Sequence, residues 1–314
     1  MSPILLSIPA FIIGVVLLWK GSDILVEGTS KTALQLGVSS LVISVVIVGF
    51  GTSAPEFAIS VGAAIQKNSD ISLGNIVGSC IANLLLVLGI ASIIRPIKIH
   101  KKIVNREMLI VFGTTVTFLV SSYFGLLDDY RWFGGLIFLV FFVIFVIFFV
   151  NCAKNERNIQ KKIDDNITKK HIVFIIFGII AVVAGAWILI ESSVIVAEFL
   201  GIPTFIIALS LVAVGTSVPE LVVSSMASYR NESDIAIGNV LGSNVFNILL
   251  ILGVSALFIP LKATLYLDHL LILLLITVLM FPILYSSEKI SRFEGAIMII
   301  FYFGYIWYIF FFHW

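Results

Sequence analysis

Ten stretches of this chain are apolar for long enough to cross a bilayer, at roughly residues 3 to 19, 39 to 65, 71 to 94, 107 to 123, 132 to 150, 172 to 199, 203 to 228, 235 to 259, 268 to 285 and 293 to 312. A span needs about 20 mainly apolar residues. Hydrocarbon offers no hydrogen bonds, so each such run is expected to be a helix that satisfies its own backbone. The composition leaves no other class open: 60% of residues are apolar, 12% are charged and the mean hydropathy is +1.15, against about 45 to 50% and about 25% in soluble domains. All connections are short except residues 151–171, NCAKNERNIQKKIDDNITKKH, so no soluble domain is expected. The first run follows Met1-Ser2-Pro3 with no basic residue before Lys20, which reads as a mature span and not a cleaved signal. Two cysteines, Cys80 and Cys152, are too few for a disulfide framework, and a net charge of +1 gives no reason to expect nucleic acid as a partner.

Ten spans put both termini on one side, and the basic residues say which. Sixteen of the 19 Lys and Arg fall in the connections after the first, third, fifth, seventh and ninth spans; Lys67, Arg131 and Lys262 alone fall on the other side. By the positive-inside rule the first side is cytoplasmic, so both termini are expected outside a cell membrane.

An offset of 164 aligns the first half on the second without a gap. GTSAPE (51–56) meets GTSVPE (215–220), and SDISLGNIVGSCIANLLLVLG (69–89) meets SDIAIGNVLGSNVFNILLILG (233–253). From 51 to 98 there are 21 identities in 48 positions. Each half holds five spans, an odd number, so the second copy enters the membrane from the opposite side. The fold expected is therefore all-α and integral to the membrane, with ten helices in two inverted five-helix repeats. The first repeat covers 1–150, with its motif region at about 39–95. A cytoplasmic basic linker covers 151–171, and the second repeat covers 172–314, with its motif region at about 203–260. Inverted repeats of this kind build secondary transporters with the site at the midplane between them.

Of the 18 acidic residues, only Glu56 and Glu220 lie in mid-span, and they are equivalent under the repeat. An acidic group at the bilayer centre costs on the order of 2.5 to 3.5 kcal/mol and marks function by default. No Lys or Arg shares their depth and His100, His171, His269 and His313 all lie outside, so the counter-charge is a proton or a cation from solution. Thr52 and Ser53 precede Glu56 by four and three residues, on its face if the helix is continuous, and Thr216 and Ser217 stand likewise to Glu220. Pro55 and Pro219 cannot donate to the carbonyls of Gly51 and Gly215, which leaves those oxygens free at a break in each helix. The next span of each half adds Ser79 with Asn83 and Ser243 with Asn247, each pair at i, i+4. Gly74, Gly78, Gly238 and Gly242 remove bulk so that the broken helices can approach. This inventory is all oxygen, which suits Ca²⁺ or Na⁺ better than Zn²⁺ or Cu⁺. A lone intramembrane Glu can be a purely structural hydrogen-bonding group, and Ser, Thr and Asn can serve only to join helices; two equivalent copies with the same neighbours in register argue against that. Glu27 and Glu191, at the ends of their spans, read as interfacial.

The paired G-T-S-x-P-E motifs, each followed by G-N-x-x-G-S-x-x-x-N, resemble the alpha-repeats of the cation/calcium exchanger superfamily, in its sodium/calcium exchanger branch and prokaryotic type. The resemblance covers the whole ten-span chain. It implies an antiporter, not an enzyme, exchanging Na⁺ for Ca²⁺ by alternating access, with the alternative that H⁺ replaces Na⁺ at the same site. It implies cation positions between the second, third, seventh and eighth spans: Glu56 and Glu220 coordinating Ca²⁺ and sharing Na⁺, with Thr52, Ser53, Ser79, Thr216, Ser217 and Ser243 and carbonyls near Val48 and Val212 completing the Na⁺ sites. Asn83 and Asn247 belong to the same metal-binding set. The first and sixth spans would slide across this core, with Gly14, Gly21, Gly178 and Gly185 permitting it. Where some prokaryotic and the potassium-dependent exchangers carry Asp, this chain has Asn247, which argues against K⁺ co-transport. Two carboxylates neutralise one Ca²⁺ or two Na⁺, so a third Na⁺ would make the exchange electrogenic. No cofactor is expected beyond the transported ions, and the partners expected are Na⁺, Ca²⁺ and membrane lipid, for a monomer.

Overall fold

The computed structural model describes residues 3–100, 104–159, 169–199, 215–286 and 289–312. Its helices are α1 (Pro3–Leu36), α2 (Ser40–Thr52), α3 (Ala54–Ile65), α4 (Ser69–Ile94), α5 (Leu109–Tyr123), α6 (Arg131–Ile159), α7 (Lys169–Phe199), α8 (Val218–Tyr229), α9 (Ser233–Phe258), α10 (Leu267–Ser286) and α11 (Arg292–Phe312). Among the described residues six helices are long and apolar enough to cross a membrane, or seven if α2 and α3, bent by 47° at Ser53, count as one broken span. The first part of the expected seventh span, with Val212, lies outside the described residues.

Two expectations are corrected. The first helix does not stop near residue 19 but runs 34 residues, to Leu36. Nothing between Lys20 and Leu36 breaks a helix, and the polar residues there find partners: Lys31 bonds Glu27 one turn back, Asp23 pairs with Arg230, and Ser30 donates to Glu232 at 2.7 Å. The stop is Gly37, at φ +65°, where Val38 N–H returns to Ala33 O at 3.0 Å and Gly37 N–H to Leu34 O at 3.3 Å, a Schellman cap that glycine adopts without a Cβ penalty. The chain is also not wholly helical. Strands β1 (Ile97–Lys98) and β2 (Lys289–Ile290) pair antiparallel, Ile97 opposite Ile290, and join the segment after α4 to the one before α11.

Burial sorts the helices into inner and outer. Helices α4 and α9 are 83% buried over their most apolar windows, whereas α1, α6, α7 and α10 are 28 to 39% buried. Aromatic and branched side chains such as Trp132, Phe141, Phe148, Ile176 and Leu275 stay exposed, the pattern of surface that faces lipid. The main apolar core runs between α4, α9 and their neighbours. A second, separate cluster, including Leu18, Leu25, Ala33, Ile175, Val182 and Ala186, joins α1 to α7 and touches α2 and α8 through Ile43, Val48 and Val223. The α1–α7 pair thus shares a small core, distinct from the main one, with the adjoining faces of α2 and α8. Its two helices meet at small residues: a Cβ on Gly14 would stand 2.9 Å from Leu189 N, on Gly21 2.8 Å from Ala181 Cβ, on Gly178 2.7 Å from Leu25 Cβ and on Gly185 2.9 Å from Leu18 N. Such contacts bring the two backbones close together at the crossing.

Candidate functional site

Helices α3 and α8 begin at the two motifs. Each opens with proline in its first turn, where a missing N–H costs no intrahelical bond, and each places its glutamate in that same turn, where the helix dipole favours a negative charge. Glu56 and Glu220 are both 0% exposed. Neither has an ion-pair partner among the described residues.

The break at Ser53 changes how the hydroxyls are shared. Thr52 and Ser53 were expected on the face of their own Glu56, but they reach across to the other half. Ser53 Oγ donates to Glu220 Oε1 at 3.1 Å, and Ser217 Oγ donates to Glu56 Oε1 at 3.3 Å. Ser243 Oγ also reaches Glu220 Oε1 at 3.2 Å and Gly49 O at 3.3 Å. The carbonyl of Gly51 is not freed by Pro55 either, because backbone N–H groups at the Ser53 cap return to Gly49 and Gly51. Val48 closes a π-helical turn, Ser44–Val48, and its carbonyl lies 3.1 Å from Thr52 Oγ1. Val48 thus stands beside the motif, its carbonyl against Thr52.

Each half of the site is tied to the other by an asparagine that sequence reasoning passed over. Thr52 Oγ1 donates to Asn239 Oδ1 at 2.9 Å, and Thr216 Oγ1 to Asn75 Oδ1 at 3.3 Å. Asn239 Nδ2 in turn donates to Ser224 Oγ at 3.0 Å and Glu220 O at 3.4 Å; Asn75 Nδ2 donates to Ser60 Oγ at 2.8 Å and Glu56 O at 3.4 Å. A threonine whose proton is held by an amide oxygen has its lone pairs left for something else. The signal was present: Asn75 and Asn239 coincide under the 164 offset and stand four residues before Ser79 and Ser243.

Close packing makes these reaches possible. A Cβ on Gly49 would lie 2.9 Å from Ser243 N, one on Gly238 2.9 Å from Ser44 Cβ, and one on Gly242 would overlap the Val45 carbonyl. The expectation for Gly238 and Gly242 holds. A Cβ on Gly74 or Gly78 would meet no described residue within 4 Å, so no close approach at either is seen among the described residues.

Among the described residues twelve carry buried side-chain polar atoms that make no hydrogen bond, and five of them belong to the two motifs and the helices that follow: Glu56 Oε2, Ser79 Oγ, Asn83 Oδ1, Glu220 Oε2, and both Oδ1 and Nδ2 of Asn247. Asn83 and Asn247 each begin a π-helical turn, Asn83–Val87 and Asn247–Ile251, a distortion often found at functional positions. An orphaned buried acceptor costs about 1 to 3 kcal/mol. These orphans fall on residues contributed by both motifs and both following helices, and all but Asn247 Nδ2 are oxygen atoms, the donors hard cations take.

A buried carboxylate pair ringed by hydroxyls and amides, at a break in a helix, suits a membrane cation transporter. The chain belongs to the sodium/calcium exchanger protein family, whose sequence pattern matches residues 6–151 and 170–311, and it is a transmembrane cation/Ca²⁺ exchanger of the prokaryotic type. It is 34% identical to the sodium/calcium exchanger MaX1 of Methanosarcina acetivorans, over 94% of this chain and 96% of that protein. It is 33% identical to an uncharacterized membrane protein, MJ0091, of Methanocaldococcus jannaschii, over 95% and 96%. A solved structure of the sodium-calcium exchanger NCX_Mj, soaked with zero Na⁺ and Ca²⁺, superposes with a TM-score of 0.86 at 32% identity, over 98% of this chain and 99% of that one.

Proposed function

We propose that the protein is an electrogenic, K⁺-independent Na⁺/Ca²⁺ antiporter that works by alternating access and extrudes Ca²⁺. It has ten transmembrane helices in two inverted repeats, and both termini lie outside the cell membrane. Glu56 and Glu220 hold Ca²⁺ or Na⁺. Thr52, Ser53, Ser79, Asn83, Thr216, Ser217, Ser243 and Asn247, with the carbonyls of Val48 and Val212, supply the neutral oxygens.

The observation that carries this reading is the set of orphaned atoms. Two buried carboxylates each have one oxygen held by a serine of the other half and one oxygen unpartnered. In the absence of a cation this arrangement concentrates negative charge in a medium that cannot screen it. One Ca²⁺ or two Na⁺ cancel it. The repetition of the Asn75 and Asn239 bonds at an offset of 164 supports the inverted-repeat reading. The packing of the α1–α7 pair through a small cluster distinct from the main core, and its small-residue crossings, support sliding of that pair as the alternating motion.

The coupling ion is tested in proteoliposomes. Vesicles loaded with Na⁺ and diluted into Na⁺-free buffer should take up Ca²⁺, while a pH gradient imposed without Na⁺ should drive none. Uptake driven by the pH gradient alone would assign H⁺ as the coupling ion instead.

A further inference from the structure

The two amides of the proposed site are equivalent in sequence but not in structure, and the difference begins at a backbone carbonyl. Asn244 Nδ2 donates to Cys80 O at 3.2 Å. A carbonyl oxygen can only accept, so this bond fixes which end of the Asn244 carboxamide is nitrogen. Its Oδ1 must then accept, and it does, from Asn83 Nδ2 at 3.0 Å. The polarity passes one step further: Asn83 has its donor committed to Asn244 and its Oδ1 left bare, buried and without a partner. The chain Cys80 O, Asn244, Asn83 therefore ends in an acceptor.

In the other half, the residue at the position of Asn244 is Cys80, since 244 minus 164 is 80. A thiol has one weak donor and no strong acceptor. The Cys80 sulfur lies 4.0 Å from Asn244 O, and Asn247 has neither amide atom bonded. The side chain beside the Asn247 carboxamide is thus the Cys80 thiol, a weak partner, whereas Asn83 has its donor held by the amide oxygen of Asn244.

We propose that Asn244 is a positioning residue that makes Asn83 a permanent oxygen ligand for the divalent cation, and that Asn247, whose neighbour at the equivalent position is a thiol, is held less firmly. This rests on the reading of Asn83 and Asn247 as ligands. Ca²⁺ takes six to eight oxygens, so a ligand turned away weakens its binding. Without Asn244, Asn83 can present Nδ2 to the cation, and a donor pointed at a cation is repulsive. Ca²⁺ binding falls while the maximal exchange rate, set by sliding of α1 and α7, does not.

The test measures Ca²⁺ uptake by Na⁺-loaded vesicles as a function of external Ca²⁺. Asn244→Leu removes the acceptor at nearly constant volume, and Asn244→Cys makes the two halves alike. Each should raise the half-saturating Ca²⁺ concentration about tenfold, the loss of one buried polar contact, with the maximal rate within about twofold. In an Asn83→Asp background both terminal atoms are oxygen and orientation no longer matters, so the same substitutions should change half-saturation by less than about twofold, the scatter expected of uncoupled sites. An equal rise in both backgrounds would make Asn244 merely structural and overturn the proposal, as would no rise in either. Glu56→Gln in the same assay separates the two levels. If it abolishes uptake while Asn244→Leu and Asn244→Cys leave Ca²⁺ dependence unchanged, the positioning role alone is wrong. If Glu56→Gln transports normally, the site itself is misassigned.

Discussion

Substituting Gly242 by alanine adds one methyl group, yet the structure makes it a test of how the site is assembled. The methyl would overlap the Val45 carbonyl, inside the π-helical turn Ser44–Val48 of α2. A normal van der Waals distance is restored only by moving that turn roughly 1 Å from α9, at an overpacking cost of about 1 to 3 kcal/mol. The turn leads directly to Thr52 and Ser53, whose hydroxyls stand 2.9 Å from Asn239 Oδ1 and 3.1 Å from Glu220 Oε1. Adding roughly 1 Å to either distance ends it as a hydrogen bond. Two such bonds, at about 1 kcal/mol each, correspond to about thirtyfold in affinity. Gly242→Ala should therefore raise the half-saturating Ca²⁺ concentration by that order in the Na⁺-gradient flux assay and lower the thermal midpoint of the purified protein. Gly113→Ala is the control: Gly113 lies exposed on α5, and a Cβ there meets nothing within 4 Å, so both quantities should stay as in the parent. A Gly242→Ala protein with parental affinity and stability would refute the claim that contact of α2 with α9 sets the site.

Two further outcomes follow from the same geometry. Ser53→Ala and Ser217→Ala each remove one donor to the opposite glutamate and should weaken Ca²⁺ uptake about fivefold apiece, the value of about 1 kcal/mol; effects confined to one of them would show that the halves contribute unequally. If a third Na⁺ carries net charge, a potential of about 100 mV clamped by K⁺ and valinomycin should shift the limiting Ca²⁺ gradient about fiftyfold, from about 2.3 kcal/mol per charge. Insensitivity to the potential would indicate electroneutral exchange.

Most of the candidate site was legible because its residues recur in the two halves of this chain. Glu56 and Glu220 stood out because burial of an acid is expensive, and the 164 offset removed coincidence. What escaped was how elements sit in space. Spacing along one helix put Ser53 beside Glu56, but the turn at Ser53 redirects that hydroxyl to Glu220. Span length read from hydropathy stopped α1 at its first charges, although charge does not end a helix; Gly37 does, and its Schellman geometry was visible as a lone glycine after Leu36. Asn75 and Asn239 were conserved between the halves and still overlooked, because amides that bind threonine hydroxyls resemble ordinary helix-joining residues until their partners are known.

The account stands most directly on the two glutamates. Glu56→Gln and Glu220→Gln keep shape and hydrogen bonding but remove one negative charge each from a fully buried site. Reconstituted into Na⁺-loaded vesicles, each variant is predicted to insert and fold yet accumulate no Ca²⁺ above the protein-free background. Parental uptake by either variant would contradict the claim that this carboxylate pair carries the transported cation.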